Sequence, residues 1–122
     1  MLTLTRKTER FTLEMTLIRM GRDLCVSLFG GDTPHIGAVA LAVPHSGIKD
    51  RAKADATVSL LAVTGHREDG LAREMAYGLA THFNCTVSVS CGIHLDNARK
   101  DEISDILKAS DALLKEALSS RF

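Results

Sequence analysis

The chain has 122 residues, 45% of them hydrophobic, which is enough for one ordinary core, so we expect a single domain spanning residues 1–122. Its 15 basic and 15 acidic residues cancel with histidine neutral, and no basic stripe with interleaved aromatic residues is present, which disfavours nucleic acid as a partner. The apolar runs are too short to cross a bilayer, and the charged residues 1–10 lack the apolar core of a signal peptide. The sequence therefore predicts a cytoplasmic protein with no membrane partner.

The first half of the chain predicts four strands. Apolar and polar residues alternate over residues 11–17, and a glycine-containing turn separates them from a second apolar run, residues 24–29, so we expect these two strands to form a hairpin. Two more strands are predicted over residues 36–43 and 57–63. Residues 44–55 between them are mostly polar and charged, which indicates a surface loop or crossover.

The third predicted strand has one face made only of alanine, at Ala38, Ala40 and Ala42. Its other face carries larger apolar residues, at Val39, Leu41 and Val43. A flat alanine face allows close approach, either by a helix or by another subunit. Because the domain is small and twofold dimers are the commonest oligomers, we expect a homodimer.

The spacing of apolar residues changes after residue 63. It becomes that of one helical face and predicts a helix over residues 68–82, with Glu68 and Asp69 at the positive end of its dipole and Asn84 as its stop. A fifth strand is predicted over residues 85–93, with one apolar face and one hydroxyl face that His94 continues.

The remainder of the chain is predicted to be helical. Ser110, which is followed by an aspartate, is interpreted as an N-cap that begins a second short helix. The expected fold is thus α+β, a mainly antiparallel five-stranded sheet with helices packed on one face, in the order ββββαβα.

Three cysteines occur, and they do not predict a disulfide framework because their number is odd and no CxxC pair is present. We interpret Cys25, Cys85 and Cys91 as small, half-buried thiols.

A glycine-rich segment, residues 30–37, is the most distinctive part of the sequence. Gly30 and Gly31 allow backbone amides to approach a ligand, and Pro34 fixes the approach of the chain to His35, with Gly37 closing the segment. The alternative interpretation is a glycine-rich turn whose histidine caps a strand.

A second segment, residues 64–69, lies where a strand opens into a helix. Amides at a helix start attract phosphate, and Arg67, after Gly65 and His66, adds a forked donor. The alternative is a plain helix entry with a solvated arginine, and the acidic Glu68 and Asp69 would repel an anion.

Histidines at three strand ends could form a metal site if they converge, although their spacing matches no known metal-binding motif. They are His35, His66 and His94. A lone histidine on a hydroxyl face, such as His94, is otherwise a hydrogen-bonded structural residue. His45 and His82 are interpreted as surface residues.

Three segments together give the chain a resemblance to a known family. Gly30-Gly31 with Pro34-His35-Ile36-Gly37, then Gly65-His66-Arg67, then Gly92-Ile93-His94 resemble the LpdD-like family, the small proteins that accompany UbiD-type gallate and other hydroxybenzoate decarboxylases. The similarity extends over nearly the whole chain, and residues 44–63 depart from it most.

The resemblance implies a chaperone or maturation factor for prenylated FMN, acting with the decarboxylase large subunit. It also implies a dimerising fold similar to proteasome assembly chaperone 4. Its histidines, His35, His66 and His94, would face the flavin or a divalent metal ion beside it, Arg67 would serve the phosphate, and the glycines of the matched segments would admit the ring. Two alternatives stay open: a metal-assisted maturase that oxidises reduced prenylated FMN, and an assembly chaperone without a ligand.

Overall fold

The computed structural model describes residues 1–47, 50–63 and 68–121, which form a six-stranded mixed sheet and two helices. The strands, in chain order, are β1 (Leu2–Lys7), β2 (Thr12–Met20), β3 (Asp23–Gly31), β4 (Ala38–Ser46), β5 (Ala54–Ala62) and β6 (Val87–His94). The helices are α1 (Asp69–Phe83), between β5 and β6, and α2 (Lys100–Leu118), after β6.

The order of strands across the sheet is β1-β2-β3-β6-β4-β5. Four of the pairings are antiparallel, and the central pairing of β3 with β6 is parallel. The α+β class is confirmed. The expected five-stranded sheet is wrong in its number of strands, because residues 2–7 add an edge strand.

The missed strand β1 pairs with β2 along its whole length. Only Leu4 in it is buried, so its sequence has little of the apolar contrast from which a strand is recognised. Arg6 and Lys7 belong to the same strand, and charged side chains on an edge strand discourage pairing with other chains.

One face of the sheet forms the core beneath the helices. This face carries two rows of buried residues that are in register across β2, β3, β6 and β4. One row is Met15, Leu28, Cys91 and Ala38, and the next is Leu17, Val26, Val89 and Ala40. Because successive residues of a strand point to opposite faces, the period-two patterns predicted this face correctly for β2 and β6. Thr16, Ser27, Ser90, Val39 and Leu61 form a row on the opposite face.

The alanine face of β4 lies inside the domain. Ala38, Ala40 and Ala42 are buried in the core, where α1 contacts β4. Of the two possibilities for this face, a helix or another subunit, the helix is therefore found, and the alanines give no support to the expected homodimer.

The predicted loop over residues 44–55 is shorter than expected, because both of its ends belong to strands. β4 continues to Ser46 and β5 begins at Ala54, with Pro44 opposite Ala56. Pairing of β4 with β6 ends at Ala42, so Pro44 lies where β4 has only one neighbour, a position that tolerates a residue without an N–H donor.

The predicted helix over residues 68–82 is confirmed as α1, and Asn84 ends it in the left-handed conformation (φ 51°). The predicted break at Ser110 is wrong, because α2 runs unbroken through this residue. Apolar residues on both sides of Ser110, including Ile106, Leu113 and Ala117, pack on the same core and override its capping tendency.

Among the described residues, neither helix is both long enough and apolar enough to cross a membrane.

Candidate functional site

The parallel pairing of β3 with β6 brings the two glycine- and histidine-bearing strand ends together. Gly30 lies opposite Ile93, and Gly31 lies opposite His94. The loop that follows β3 is held across the end of β6, since the Asp32 N–H donates to the His94 carbonyl (2.7 Å). Two of the three segments singled out in the sequence therefore meet at one edge of the sheet.

His35 is fixed by contacts at both ring nitrogens. Its Nδ1 lies 3.0 Å from the Thr33 carbonyl, which can only accept, so Nδ1 carries a hydrogen. Its Nε2 lies 2.9 Å from Oε1 of Glu68. The Glu68 carboxylate is thus the direct partner of the imidazole on its Nε2 side.

Glu68 is a site residue that the sequence interpretation missed, because an acid at a helix start was taken as a partner of the dipole. The structure buries it, 8% exposed, immediately before α1. Its Oε1 also accepts the Ile93 N–H (3.3 Å), which ties β6 to the same carboxylate. Carboxylates are rarely this buried unless paired, and burial could not be read from the local sequence.

Two glycines make the close approach of these groups possible. A Cβ on Gly37 would collide with the Glu68 carboxylate, and a Cβ on Gly92 would collide with the His35 carbonyl. The space beside Gly30 and Gly31 is likewise filled by backbone of this chain. Gly31 and Gly92 therefore serve the packing of the loop against β6, Gly37 makes room for Glu68, and Gly30 lies against β2.

His94 lies beside His35 but is more exposed. The two ring centroids are 6.4 Å apart with an interplanar angle of 72°. His94 Nε2 lies 3.0 Å from Oδ1 of Asp96, and half of its side chain is accessible. Pro34 is exposed in the loop that carries His35. His35, Glu68, His94 and Asp96 are called the histidine cluster below.

An arginine network supports the cluster and was not expected from the sequence. Arg10 donates to both carboxylate oxygens of Asp32 (2.7 Å each) and to the Asp96 carbonyl (3.1 Å), and its Nε lies 3.1 Å from Glu102. Oδ2 of Asp32 also accepts the Asp96 N–H (2.9 Å). One guanidinium thus joins the β1–β2 turn, the loop after β3, the loop after β6 and the start of α2.

The charges of this network perturb one another. The forked hydrogen bonds from Arg10, then the backbone N–H of Asp96, hold the pKa of the Asp32 carboxyl well below its usual range. In turn, the hydrogen bond to Asp32 raises the pKa of Arg10.

Cys91 lies in the core under the cluster and is not a nucleophile. Burial, followed by the negative charge of Glu68, raises the pKa of its thiol to about 12. Cys85 is buried as well, and Cys25 is half-buried, so the half-buried interpretation holds only for Cys25.

The second predicted segment lies largely outside the described residues. Gly65, His66 and Arg67 belong to the undescribed stretch 64–67, so their roles stay predictions. In the described part of the chain, no group of three or more His, Cys, Asp or Glu side chains is placed to hold a metal ion. A metal shared by His35, His66 and His94 also stays a prediction.

Comparison with known proteins identifies the family and the fold. Residues 7–121 match the family model of the prenylated flavin chaperone LpdD-like domain. No curated protein matches the chain in sequence. Among solved structures, the chain is similar to one from the crystal structure of a novel chaperone complex for yeast 20S proteasome assembly, with a TM-score of 0.53 and 17% sequence identity over 97% of this chain and 98% of the other. At that identity the similarity shows the fold alone.

The contact between Gly37 and Glu68 gives a stability prediction. Gly37→Ala forces the Glu68 carboxylate away from His35 and the Ile93 amide, and we expect it to lower the free energy of unfolding by about 1–3 kcal/mol in urea titrations. Gly70→Ala is the matched control, since a Cβ there meets open space in α1 and should stabilise by up to about 1 kcal/mol. Equal effects of the two substitutions would show that Gly37 has no special contact.

The Arg10–Asp32 pair gives a pH prediction. Because the pKa of Asp32 is lowered in the folded state, the pair stabilises the fold above the ordinary aspartate pKa of about 4, and this stabilisation is lost as the pH falls toward the folded-state value. Arg10→Gln should therefore lower the melting temperature at neutral pH and have a progressively smaller effect below about pH 4.

The control is Arg22→Gln, which alters an exposed arginine in the turn between β2 and β3. A melting-temperature difference between Arg10→Gln and the unaltered protein that does not change with pH would contradict the assignment.

Proposed function

Because the chain belongs to the family of prenylated flavin chaperone LpdD-like domains, we propose that it is an accessory chaperone that binds prenylated FMN at the histidine cluster. In this role it assists maturation of the cofactor or its delivery to a UbiD-type decarboxylase. The observation that carries the proposal is the pair of imidazoles, one partly buried against Glu68 and one half-exposed, at the end of the central parallel strand pair.

The residues of the cluster suit a flavin, which presents hydrogen-bond donors, acceptors and a flat aromatic surface. His94 offers an accessible aromatic ring beside a carboxylate, and aromatic rings pack well by stacking or edge contact. The contact with Glu68 fixes the orientation of the His35 ring. The cofactor supplies the electron-sink chemistry of the decarboxylase, and the residues of this chain would bind, orient and shield it.

The phosphate is assigned to the start of α1, where Arg67 would provide a forked donor. Glu68 and Asp69 are acidic, and acidic side chains repel a phosphate. For Glu68 this repulsion is reduced, because its carboxylate lies against His35 and accepts the Ile93 N–H inside the fold. Asp69 is exposed and belongs to the first turn of the helix.

The test measures binding of prenylated FMN by calorimetry, and the activity recovered by the decarboxylase large subunit is a second measurement. Arg67→Ala should weaken binding of prenylated FMN by roughly 1.5–3 kcal/mol, about ten- to a hundredfold, because a charge-assisted hydrogen bond to phosphate is lost. His35→Ala and His94→Ala should leave the phosphate contacts intact but misplace the ring, so activity recovered by the large subunit should fall more than affinity.

Two exposed residues of α1 provide matched controls, Arg73→Ala for the arginine and His82→Ala for the histidines. Neither should change binding or recovery. If the decarboxylase recovers equal activity with and without this protein, and the protein binds no flavin, the flavin proposal is wrong and the alternative of a ligand-free assembly chaperone is retained. Repeated turnover of flavin oxidation by this chain alone would instead establish the maturase.

We extend the proposal to a homodimer that uses the sheet face opposite the helices. With the alanines buried, the exposed apolar side chains on that face are the available contact surface, and they include Leu41, Val43 and Leu61. A second copy would cover all three at once, because they lie on the neighbouring strands β4 and β5.

Light scattering at micromolar concentration tests the dimer. Leu41→Asp and Leu61→Asp should each shift the mass from dimer toward monomer, since a charge on the buried contact must be desolvated. Leu107→Asp, an exposed leucine of α2, should keep the dimer mass. A monomer mass for the unaltered protein would refute the dimer without bearing on flavin binding.

A further inference from the structure

A groove between α1 and α2 lies apart from the histidine cluster and shares no residue with it. Its volume is about 190 Å³, and its apolar lining comes from Leu71 and Met75 of α1 and Leu107 and Leu114 of α2. Pockets for small molecules usually measure about 300–1,000 Å³. This groove is smaller and suits one or two side chains of another protein.

Ser110 places a hydroxyl in this groove. The residue is 2% exposed, and its Oγ has no hydrogen-bond partner within residues 1–47, 50–63 and 68–121. A serine inside a helix commonly bonds to a carbonyl of the preceding turn, which this hydroxyl does not do. A buried polar group without a partner costs free energy, so this hydroxyl destabilises the free protein.

An apolar stripe on α2 extends the groove. Ile103 and Leu107, one helical turn apart, are about half exposed, at 49% and 52%. The core contacts of α2 are made by other residues, including Leu113 and Ala117. The exposed pair is therefore not required by the fold of the single chain, and it matches the spacing with which one helix receives another.

The charged residues of the groove are acidic. Glu74 lines it from α1 and Asp111 from α2, and among the residues that the structure describes the lining includes no basic one. Lys115 lies 2.8 Å from Asp111, but its side chain is three-quarters exposed and can turn away. The groove thus complements a basic group next to an apolar one.

We infer that the α1–α2 groove docks an amphipathic helix of a partner protein. A leucine-like side chain of the partner inserts beside Ser110, and a lysine or arginine one turn away pairs with Glu74. This inference does not depend on the flavin, since the groove and the histidine cluster are built from different residues.

The test uses two designed helical peptides that differ only in charge, one of leucine and lysine and one of leucine and glutamate, added to the full chain. NMR should show perturbation of groove resonances by the lysine peptide, and calorimetry should give its affinity. Leu107→Ala should weaken binding about fivefold or more through lost apolar contact, while Met20→Ala, an exposed apolar residue of β2, should not. Glu74→Lys should reverse the preference between the two peptides.

Ser110→Ala tests the buried hydroxyl separately. Its removal should raise the melting temperature of the free protein and change the affinity for the lysine peptide by less than about twofold, because the hydroxyl is covered in the free chain and a leucine side chain cannot bond to it. The inference is overturned if neither peptide binds at millimolar concentration, or if binding ignores Leu107→Ala and Glu74→Lys. Indole shifting the groove resonances while the peptides do not would assign the groove to small molecules and overturn it as well.

Discussion

The parallel pairing of β3 with β6 is the constraint on which the rest of the structure depends. Antiparallel neighbours can be joined by a two-residue turn, whereas parallel neighbours need a long crossover. Here the crossover contains β4, β5 and α1. The β4–β5 hairpin joins the same sheet, and α1 packs against it. Because both strands run in one direction, their glycine-bearing ends stop at the same edge, where Gly31 meets His94.

Several features of the fold were predictable because their signals are local. Alternation of apolar and polar residues located β2 and β6, an apolar run after a turn located β3, and the change to helical spacing located α1 with Asn84 at its end. These signals report which side of an element is buried, but not which element lies beside it. The strand β1 was not predicted, because it forms by pairing with β2 and its own composition gives little sign of a strand.

The candidate site shows the same division. His35 and His94 were recognisable from their glycine-flanked segments and from the family resemblance, and the structure places them side by side. Glu68 and Arg10 were missed, because acids at helix starts and arginines near turns are usually solvated. Only tertiary structure brings Glu68 under the His35 ring and Arg10 against Asp32. The prediction for Ser110 was wrong for a related reason. Its local sequence suggested a helix cap, but tertiary packing makes it a buried residue inside α2.

The parallel strand pair also has a consequence for the order in which the protein is made. Contacts between distant parts of a chain form slowly, because the entropy of closing the intervening loop is lost before the contact is gained. During synthesis, β3 emerges early, but its neighbour β6 emerges only after two more strands and a helix. A nascent chain therefore carries the His35 loop without its support until most of the polypeptide has left the ribosome. The histidine cluster is accordingly complete only in the nearly finished protein.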